Sequence, residues 1–591
     1  MHEVLALFSD DSALRWATFI IRFLLPALAL IVIIRCVKSL FYEKSEAETW
    51  GHLSLPNGAK VSLNHWENII GRDKDADVYL EYPTVSRNHA AVIRDGKGNW
   101  RAYDVQSRDG VTVNGKKIES RDGLPIKEGD ELTLGGVNLY FFPFNKFREY
   151  KQVTERTKAG VQYKTRNTLI FLTEFQLLLG LQLCISKGED LTIMLPLSFV
   201  FLIGLMWACF MISRLMQRTA FEIETLAFFL TTIGMAVTAT SAVHDISRQV
   251  LILIGGLILY YAIGLLLRNL SLTKQVRWII AIVGVLLLAI NILFAEEQFG
   301  ARRWIEIAGI SFQPAEFVKI AFIFVGAATM ERMFARRNLL VFIAFTGVCL
   351  LSMAIIVDFG TAMVFFMTYL VIAFLRSGDL ATILLSIGGA GFASFIALRF
   401  WPHIANRFST WGRAWDYVDT GGFQQIHAMA AVAGGGLLGV GAGNGWFHGI
   451  VAANSDLVFA LVAEELGLIM AIFAVSAVVI LVVFSVYSTS MARSSFYVIG
   501  ACAVSTVLVF QMLLNVLGSL DILPFTGITF PFVSRGGTSL VVSWALLAFI
   551  QAADTRQNAS YITKSPEPPI TSGHLPVITE FVEGGRNSEK N

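Results

Sequence analysis

Gly300-Ala301-Arg302-Arg303-Trp304-Ile305, followed by Gln313-Pro314-Ala315-Glu316-Phe317-Val318-Lys319, sets charged side chains at the mouth of a long apolar run. Glu316 and Lys319 stand three apart, so they share a helical face and can pair with each other or with a bound group. A charge left alone in hydrocarbon costs about 2.5–3.5 kcal/mol on insertion scales. The pattern therefore implies a water-filled cavity among packed helices. The Arg302–Arg303 pair lies on the expected outer side, against the general bias of Lys and Arg toward the inside, and so needs a functional reason.

The rest of the chain agrees with a membrane setting. Of 591 residues 54% are hydrophobic and 16% charged, against roughly 25% charged in average soluble proteins. A net charge of +2 does not point to nucleic acid. The five cysteines are scattered without C-x-x-C spacing, and His403, His427 and His448 lack ligand spacing, so neither a disulfide framework nor a zinc site is supported.

The apolar run Trp16 to Ile34 is long enough to span and reads as an anchor, not a cleavable signal. Arg35 and Lys38 put its C-terminal end inside the cell. Short runs come next at Lys60–Leu63, Val78–Leu80, Ala90–Ile93, Val111–Val113 and Leu132–Leu134, with turn signals such as Asn114–Gly115 between them; this predicts a small cytoplasmic all-β sandwich. Beyond a basic stretch from Lys146 to Arg166 come about twelve further spans of roughly 20 residues. They begin near Leu169, Leu191, Leu226, Val250, Ile279, Pro314, Leu339, Thr361, Leu380, Asp456, Phe496 and Thr538.

Basic loops around Arg214–Arg218, Arg268–Arg277 and Arg332–Arg337 belong inside, so loops 296–313, 401–455 and 520–537 face outward. The stretch from Trp401 to Ser455 is longer than a connection needs and is a candidate functional element. Asp456 and Glu464, eight apart, are expected on one face of a long span, lining a cavity. The tail after Asp554, with Pro566, Pro568 and Pro569, reads as disordered. The fold class is mixed: a polytopic α-helical membrane domain with an all-β domain.

Within the β region, Gly71-Arg72, Ser86-Arg87-Asn88-His89, Ser107-Arg108-Asp109-Gly110 and Val113-Asn114-Gly115 fall in turns. This set resembles the forkhead-associated (FHA) family. The resemblance implies phosphothreonine binding, with Arg72 and Ser86 on the phosphate and Arg87, Ser107 and Asp109 around the peptide. A guanidinium fork and a hydroxyl donor suit that task. Asp109 stands where the family usually has an Asn that holds the peptide backbone, and His89 is expected to pack.

In the membrane region, the Gly300–Lys319 stretch is succeeded by Asp358-Phe359-Gly360-Thr361, by Phe423-Gln424 through Gly434-Gly435-Gly436 and Gly439 to Asp456-Leu457-Val458-Phe459 and Glu464-Glu465, and by Leu523-Pro524-Phe525-Thr526-Gly527 with Pro531-Phe532-Val533-Ser534-Arg535-Gly536-Gly537-Thr538-Ser539. Gln511 and Asn515 match as well. This order resembles the SEDS family (FtsW, RodA, SpoVE). The implied organisation is an anchor at 1–44, the FHA sandwich at 45–145, a basic linker at 146–167, an extra pair of spans at 168–220, a SEDS-like domain of about ten spans at 221–553 and the tail at 554–591, counting about three added spans in all.

The resemblance implies a peptidoglycan glycosyltransferase that polymerises lipid II, in cell elongation, division or sporulation. That chemistry needs an outward carboxylate base and cationic groups for a pyrophosphate leaving group. Family members usually carry W-x-D in the large outer loop. Here Tyr417 takes that place within Trp415-Asp416-Tyr417-Val418-Asp419, so Asp416, one residue away, or Asp419 serves as base. Glu316, Lys319, Asp456 and Glu464 would shape the substrate cavity, with Arg302, Arg303 and Arg535 near phosphate. No cofactor of the protein's own is required, and there is room for a divalent cation, Mg or Mn, held by the pyrophosphate. Expected partners are lipid II and the growing glycan, a class B penicillin-binding transpeptidase, and a phosphothreonine protein or the chain's own tail at Thr555, Thr563, Thr571 or Thr579. The chain shows no S-x-x-K with K-T-G set for cross-linking. A lipid II flippase and a non-catalytic phospho-dependent scaffold are the competing readings.

Overall fold

The computed structural model describes residues 11–42, 48–119, 123–151, 165–216, 218, 220–298, 301–307, 310–330, 336–377, 380–400 and 408–556. Gly300, His403, most of the basic loop around Arg332 and the tail threonines Thr563, Thr571 and Thr579 lie outside the described residues.

The β domain is a two-layer sandwich. One sheet runs β2 (Lys60–Leu63), β1 (Gly51–Ser54), β11 (Val137–Pro143), β10 (Glu131–Leu134), β7 (Val111–Val113), β8 (Lys116–Lys117). The other runs β4 (Val78–Tyr79), β3 (Glu67–Gly71), β5 (Ala90–Arg94), β6 (Trp100–Asp104), β9 (Leu124–Ile126). Strand alternation supplies the core: in β11, Val137, Leu139 and Phe141 are buried while Asn138 and Tyr140 face out. Asn114 and Gly115 both have positive φ, 49° and 77°, which suits the tight β7–β8 hairpin that an Asn-Gly pair favours.

Ten helices among the described residues are long and apolar enough to cross a membrane, so the chain is a multi-pass membrane protein. The anchor is α1 (Asp11–Tyr42); α2 (Thr165–Lys187) and α3 (Met194–Leu215) form the extra pair. The main bundle continues with α4 (Glu222–Ser241), α5 (Ile246–Leu267), α6 (Leu270–Phe294), α7 (Pro314–Met330), α8 (Arg336–Ile356), α9 (Phe359–Ser377) and α10 (Leu380–Phe400). The short α11 (Phe423–Gly435) and α12 (Val458–Glu465) precede α13 (Leu468–Thr489), α14 (Ser495–Ser519) and α15 (Gly537–Ala553). Arg35 Nε donates to Thr168 Oγ1 (3.0 Å) between two of the added helices, and Ser39 to Glu222 (2.7 Å) and Gln176 to Thr232 (3.0 Å) join them to the bundle. Between these added helices and the rest of the bundle, every residue from Glu222 to Thr240 of α4 is buried.

Two expectations need correction. The span beginning at Asp456 is broken, not continuous. Gly467 has φ +92°, and a Cβ there would overlap the Leu437 carbonyl, so the chain turns between α12 and α13 to pass α11's end. Asp456 lies in the turn ahead of α12 and shares no long helical face with Glu464. The connection at 296–313 is also more than a loop: β12 (Glu296–Gln298), β13 (Ala301–Ile307) and β14 (Ile310–Phe312) make a small antiparallel sheet.

α14 connects the β-sandwich to the loops that carry the membrane motifs. Its 25 residues span about 37 Å at 1.5 Å per residue. The sandwich sits at its N-terminal end, and the motif loops gather at its C-terminal end.

Candidate active site and phosphate-reading loops

At the C-terminal end of α14, Asn515 ties two segments to the helix. Its Nδ2 donates to the carbonyls of Asp456 (2.9 Å), Ile528 (2.8 Å) and Ser455 (3.4 Å). Ser534 also donates to the Ser455 carbonyl, and Arg535 N–H bonds to the Asn454 carbonyl (2.8 Å). The turn before α12 and the Pro-rich loop are thus held as one body.

Arg303 reaches this body from β13. Successive residues of a strand point to opposite faces, so Arg302 is exposed while Arg303 turns inward. Its Nε lies 3.8 Å from Asp358 Oδ1 and its Nη1 donates to the Gly527 carbonyl at 3.5 Å. Gly527 has φ +68°, and a Cβ there would sit 3.0 Å from Asp456 Oδ2 and 3.4 Å from Arg303 Nη1. Arg303, Asp358 and Asp456 therefore converge around a glycine held in the left-handed region, where a side chain would be strained and crowded. Asp358 also caps α9, accepting Thr361 N–H (3.2 Å) and Thr361 Oγ1–H (2.8 Å). Arg303 Nε, Asn515 Oδ1 and Thr526 Oγ1 are buried without a hydrogen-bond partner among the described residues; native interiors leave few such atoms.

The pair expected from its spacing forms on α7: Lys319 Nζ donates to Glu316 Oε1 at 2.6 Å, both side chains buried. Asp416 and Asp419 are exposed on the loop that precedes α11, Asp416 within a single 3-10 turn, Ala414–Tyr417. Glu464 lies elsewhere: it is buried and accepts the backbone N–H groups of Trp446 and Phe447, each at 3.1 Å. Glu465 accepts from Thr240 Oγ1 (2.9 Å) and Gly443 N–H (3.1 Å). Both carboxylates hold the loop between α11 and α12. The Arg535 guanidinium is engaged by Asp245, from the α4–α5 connection; that partner gave no sequence signal.

In the sandwich, the turns after β3, β4 and β6 are stitched together at one end. Arg72 N–H and Asp73 N–H donate to the Ser86 and Arg87 carbonyls (both 3.0 Å), and Arg108 N–H donates to Ser86 Oγ (3.2 Å). A Cβ on Gly71 would overlap the Arg87 carbonyl, so glycine is what lets the first two turns meet. His89 is fully buried. Its Nδ1 accepts Ser86 N–H (3.0 Å), which leaves the proton on Nε2 to donate to the Gly110 carbonyl (3.1 Å). It fastens two loops together. Ser107 Oγ accepts Gly110 N–H at 2.9 Å. Arg72, Arg87, Arg108 and Asp109 are exposed around the half-buried Ser86. Arg108, a member of the Ser107–Gly110 motif that was given no role of its own from the sequence, is a further exposed cation at this end.

The opposite end of the sandwich is docked on the membrane domain at the loop between α13 and α14. Glu48 accepts both Nε (2.6 Å) and Nη2 (2.8 Å) of Arg493. Glu67 accepts Ser494 Oγ–H (2.8 Å) and Ser495 N–H (2.9 Å) at the N-terminus of α14, where a carboxylate is electrostatically favoured. Trp66 N–H donates to the Arg493 carbonyl (2.7 Å). Thr555 is buried beside this joint, donating to the Met491 carbonyl (2.9 Å), so it is not placed as a ligand for the phosphate loops.

Comparison with known proteins agrees with these two parts. Residues 68–135 match the FHA domain model. RodA of Mycobacterium leprae, named a peptidoglycan glycosyltransferase, is 28% identical over 356 residues, 57% of this chain and 75% of that protein. A probable peptidoglycan glycosyltransferase FtsW of Borreliella burgdorferi is 28% identical over 50% of this chain and 83% of its own. The crystal structure of Thermus thermophilus RodA aligns over 56% of this chain and 94% of its own, with 21% identity and a TM-score of 0.42. Residues 213–559, more than half of the chain, match the model of the family described as cell cycle proteins, and the chain belongs to that FtsW, RodA and SpoVE family, with an FHA domain joined to it.

Proposed function

We propose that this protein is a peptidoglycan glycosyltransferase that polymerises lipid II at the outer face of a bacterial cytoplasmic membrane, with its FHA domain on the cytoplasmic side. The observation that carries the reading is the convergence of Arg303, Asp358 and Asp456 at the end of α14 remote from the FHA dock. Polymerisation removes a proton from a sugar hydroxyl as it attacks an anomeric carbon, while polyprenyl pyrophosphate leaves. Asp416 or Asp419, exposed on the adjoining loop, accepts the proton. Arg303, together with Arg302 and Arg535, stabilises the leaving charge as a preorganised cationic group does. The buried Asn515 Oδ1 and Thr526 Oγ1, which have no partner among the described residues, offer further polar contacts to sugar or phosphate. Glu316 and Lys319 give the bundle interior a neutral, paired polar lining.

Among the described residues no group of three His, Cys, Asp or Glu is placed to hold a metal ion. A magnesium or manganese ion, where one takes part, would be held by the substrate pyrophosphate, with few protein ligands. Cross-linking falls to a class B penicillin-binding transpeptidase acting as partner. Arg72 and Ser86 grip phosphothreonine on a regulatory protein, with Arg87 and Arg108 adding positive charge.

The test is lipid II polymerisation by the purified protein, with and without its cognate transpeptidase, comparing Asp416→Ala with Asp419→Ala. Glycan chains from the unaltered protein and none from one folded variant name the base. No product from any form, with the partner present, would transfer the reading to a scaffold or flippase.

A further inference from the structure

α14 ends in a turn of defined geometry. Ile522 N–H donates to the Leu517 carbonyl (2.9 Å) and Asp521 N–H to the Gly518 carbonyl (3.4 Å), the paired bonds of a Schellman motif. Its left-handed position is usually glycine; here it is Asp521, with φ +57°. A side chain in that region is strained, and a carboxylate beside the carbonyl end of a helix meets an unfavourable dipole. Ending the helix gives no reason to accept either cost.

The side chain supplies one. Asp521 Oδ1 accepts Gly412 N–H (3.2 Å) and Oδ2 accepts Ala414 N–H (3.3 Å), while the Trp411 indole N–H donates to the Ile522 carbonyl (3.0 Å). Three bonds thus tie residues 411–414 to the last turn of α14. Ala414 is buried and begins the 3-10 turn that carries Asp416, whose N–H bonds to the Arg413 carbonyl at 2.9 Å. From the other side, Gly422 packs so closely on the Ala414 carbonyl that a Cβ would overlap it. Asn515, six residues before Asp521, registers Asp456 to the same helix end.

We propose that Asp521 is a positioning residue for glycosyl transfer: it latches the 411–414 segment to α14 and so fixes where Asp416 stands relative to the Arg303–Asp456 cluster. This role rests on the proposed function, in which the loop holds the catalytic base.

The full-length protein with its transpeptidase partner tests it through Asp521→Gly, which keeps the left-handed turn and removes the latch, and Asp521→Asn, which tolerates that conformation and keeps one acceptor oxygen. Asp521→Gly is expected to fold with an unchanged or higher melting temperature, to lose about tenfold or more in kcat for lipid II polymerisation, as misplacing a catalytic group does, and to keep KM within about twofold. Asp521→Asn falls between it and the unaltered protein. Trypsin cleavage after the exposed Arg413 is expected to quicken in Asp521→Gly, a readout independent of catalysis. Unaltered kcat in Asp521→Gly, or unchanged cleavage after Arg413, overturns the proposal. If the unaltered chain makes no glycan, the glycosyltransferase reading fails, and with it the positioning role, while cleavage after Arg413 still reports whether the latch exists.

Discussion

Glu48 and Arg493, 445 residues apart in sequence, form a two-point ion pair in which both guanidinium bonds are shorter than 3 Å and both partners are buried. Arg493 also stacks toward Trp50, its Cζ 5.3 Å from the ring centroid, while Arg94 covers the same indole at 4.5 Å. With Glu67 on the first turn of α14, the FHA domain is a seated part of the membrane protein. Strand β3 runs from this seat at Glu67 to the phosphate loop at Gly71, so the reading loops point away from the dock.

Removing one partner of a buried ion pair leaves an uncompensated charge and costs about 3–5 kcal/mol. Glu48→Ala should therefore unseat the FHA domain. Hydrogen exchange at the Trp66 amide, bonded to the Arg493 carbonyl, should accelerate by about two orders of magnitude or more, taking about 1.4 kcal/mol per tenfold. Exchange at that amide unchanged from the unaltered chain would show that the seat does not depend on the pair.

Phosphothreonine recognition should collapse without Arg72 and Ser86. Hydrogen bonds to charged groups contribute about 1.5–3 kcal/mol each, so Arg72→Ala or Ser86→Ala alone should weaken binding of a phosphothreonine peptide by about tenfold to a hundredfold, and the pair by more. Fluorescence anisotropy on the full chain measures it. Peptide binding by the double variant at the unaltered affinity would remove phosphothreonine from the account of this domain.

His89 makes no exposed surface, yet His89→Ala should abolish the same binding. It orphans Ser86 N–H and the Gly110 carbonyl, each worth about 1–3 kcal/mol when buried unpaired, and frees the Ser86 turn from the Asp109 turn. The domain's melting temperature and the peptide affinity should fall together. A stable domain with intact affinity would mean the loops are held by their backbone bonds alone.

Most helices and strands were legible because hydropathy and strand alternation are local signals: the expected starts near Leu169 and Phe496 fall within or at the first turns of α2 and α14. The Glu316–Lys319 pair was equally readable, since helical spacing alone brings those atoms together. The features that escaped depend on contacts between distant segments. The break at Gly467 arises from the segment after α11, Leu437 to Gly439, packing against the turn, and apolar residues on both sides of it hid the interruption. Glu48 and Glu67 carry no motif, and their roles come from Arg493 and Ser494, more than 400 residues away in sequence. Asp521 carried a faint signal, an acidic residue where a helix stops and glycine is usual, but its meaning lay in amides more than a hundred positions earlier.

The Glu316–Lys319 pair separates structural from functional burial of charge. Both side chains are buried and 2.6 Å apart, so Glu316→Gln or Lys319→Met alone strands a charge in the bundle and should destabilise it by about 3–5 kcal/mol. The double variant Glu316→Gln/Lys319→Met removes both charges, and replacing a buried pair by neutral groups of similar size is often tolerated. Stability in a thermal melt should therefore recover in the double variant, a coupling that a double-mutant cycle reads directly. Lipid II polymerisation should not recover with it if the pair faces substrate. Full activity in the stable double variant would confine the pair to holding α7 together and leave recognition to Arg303 and Asp456.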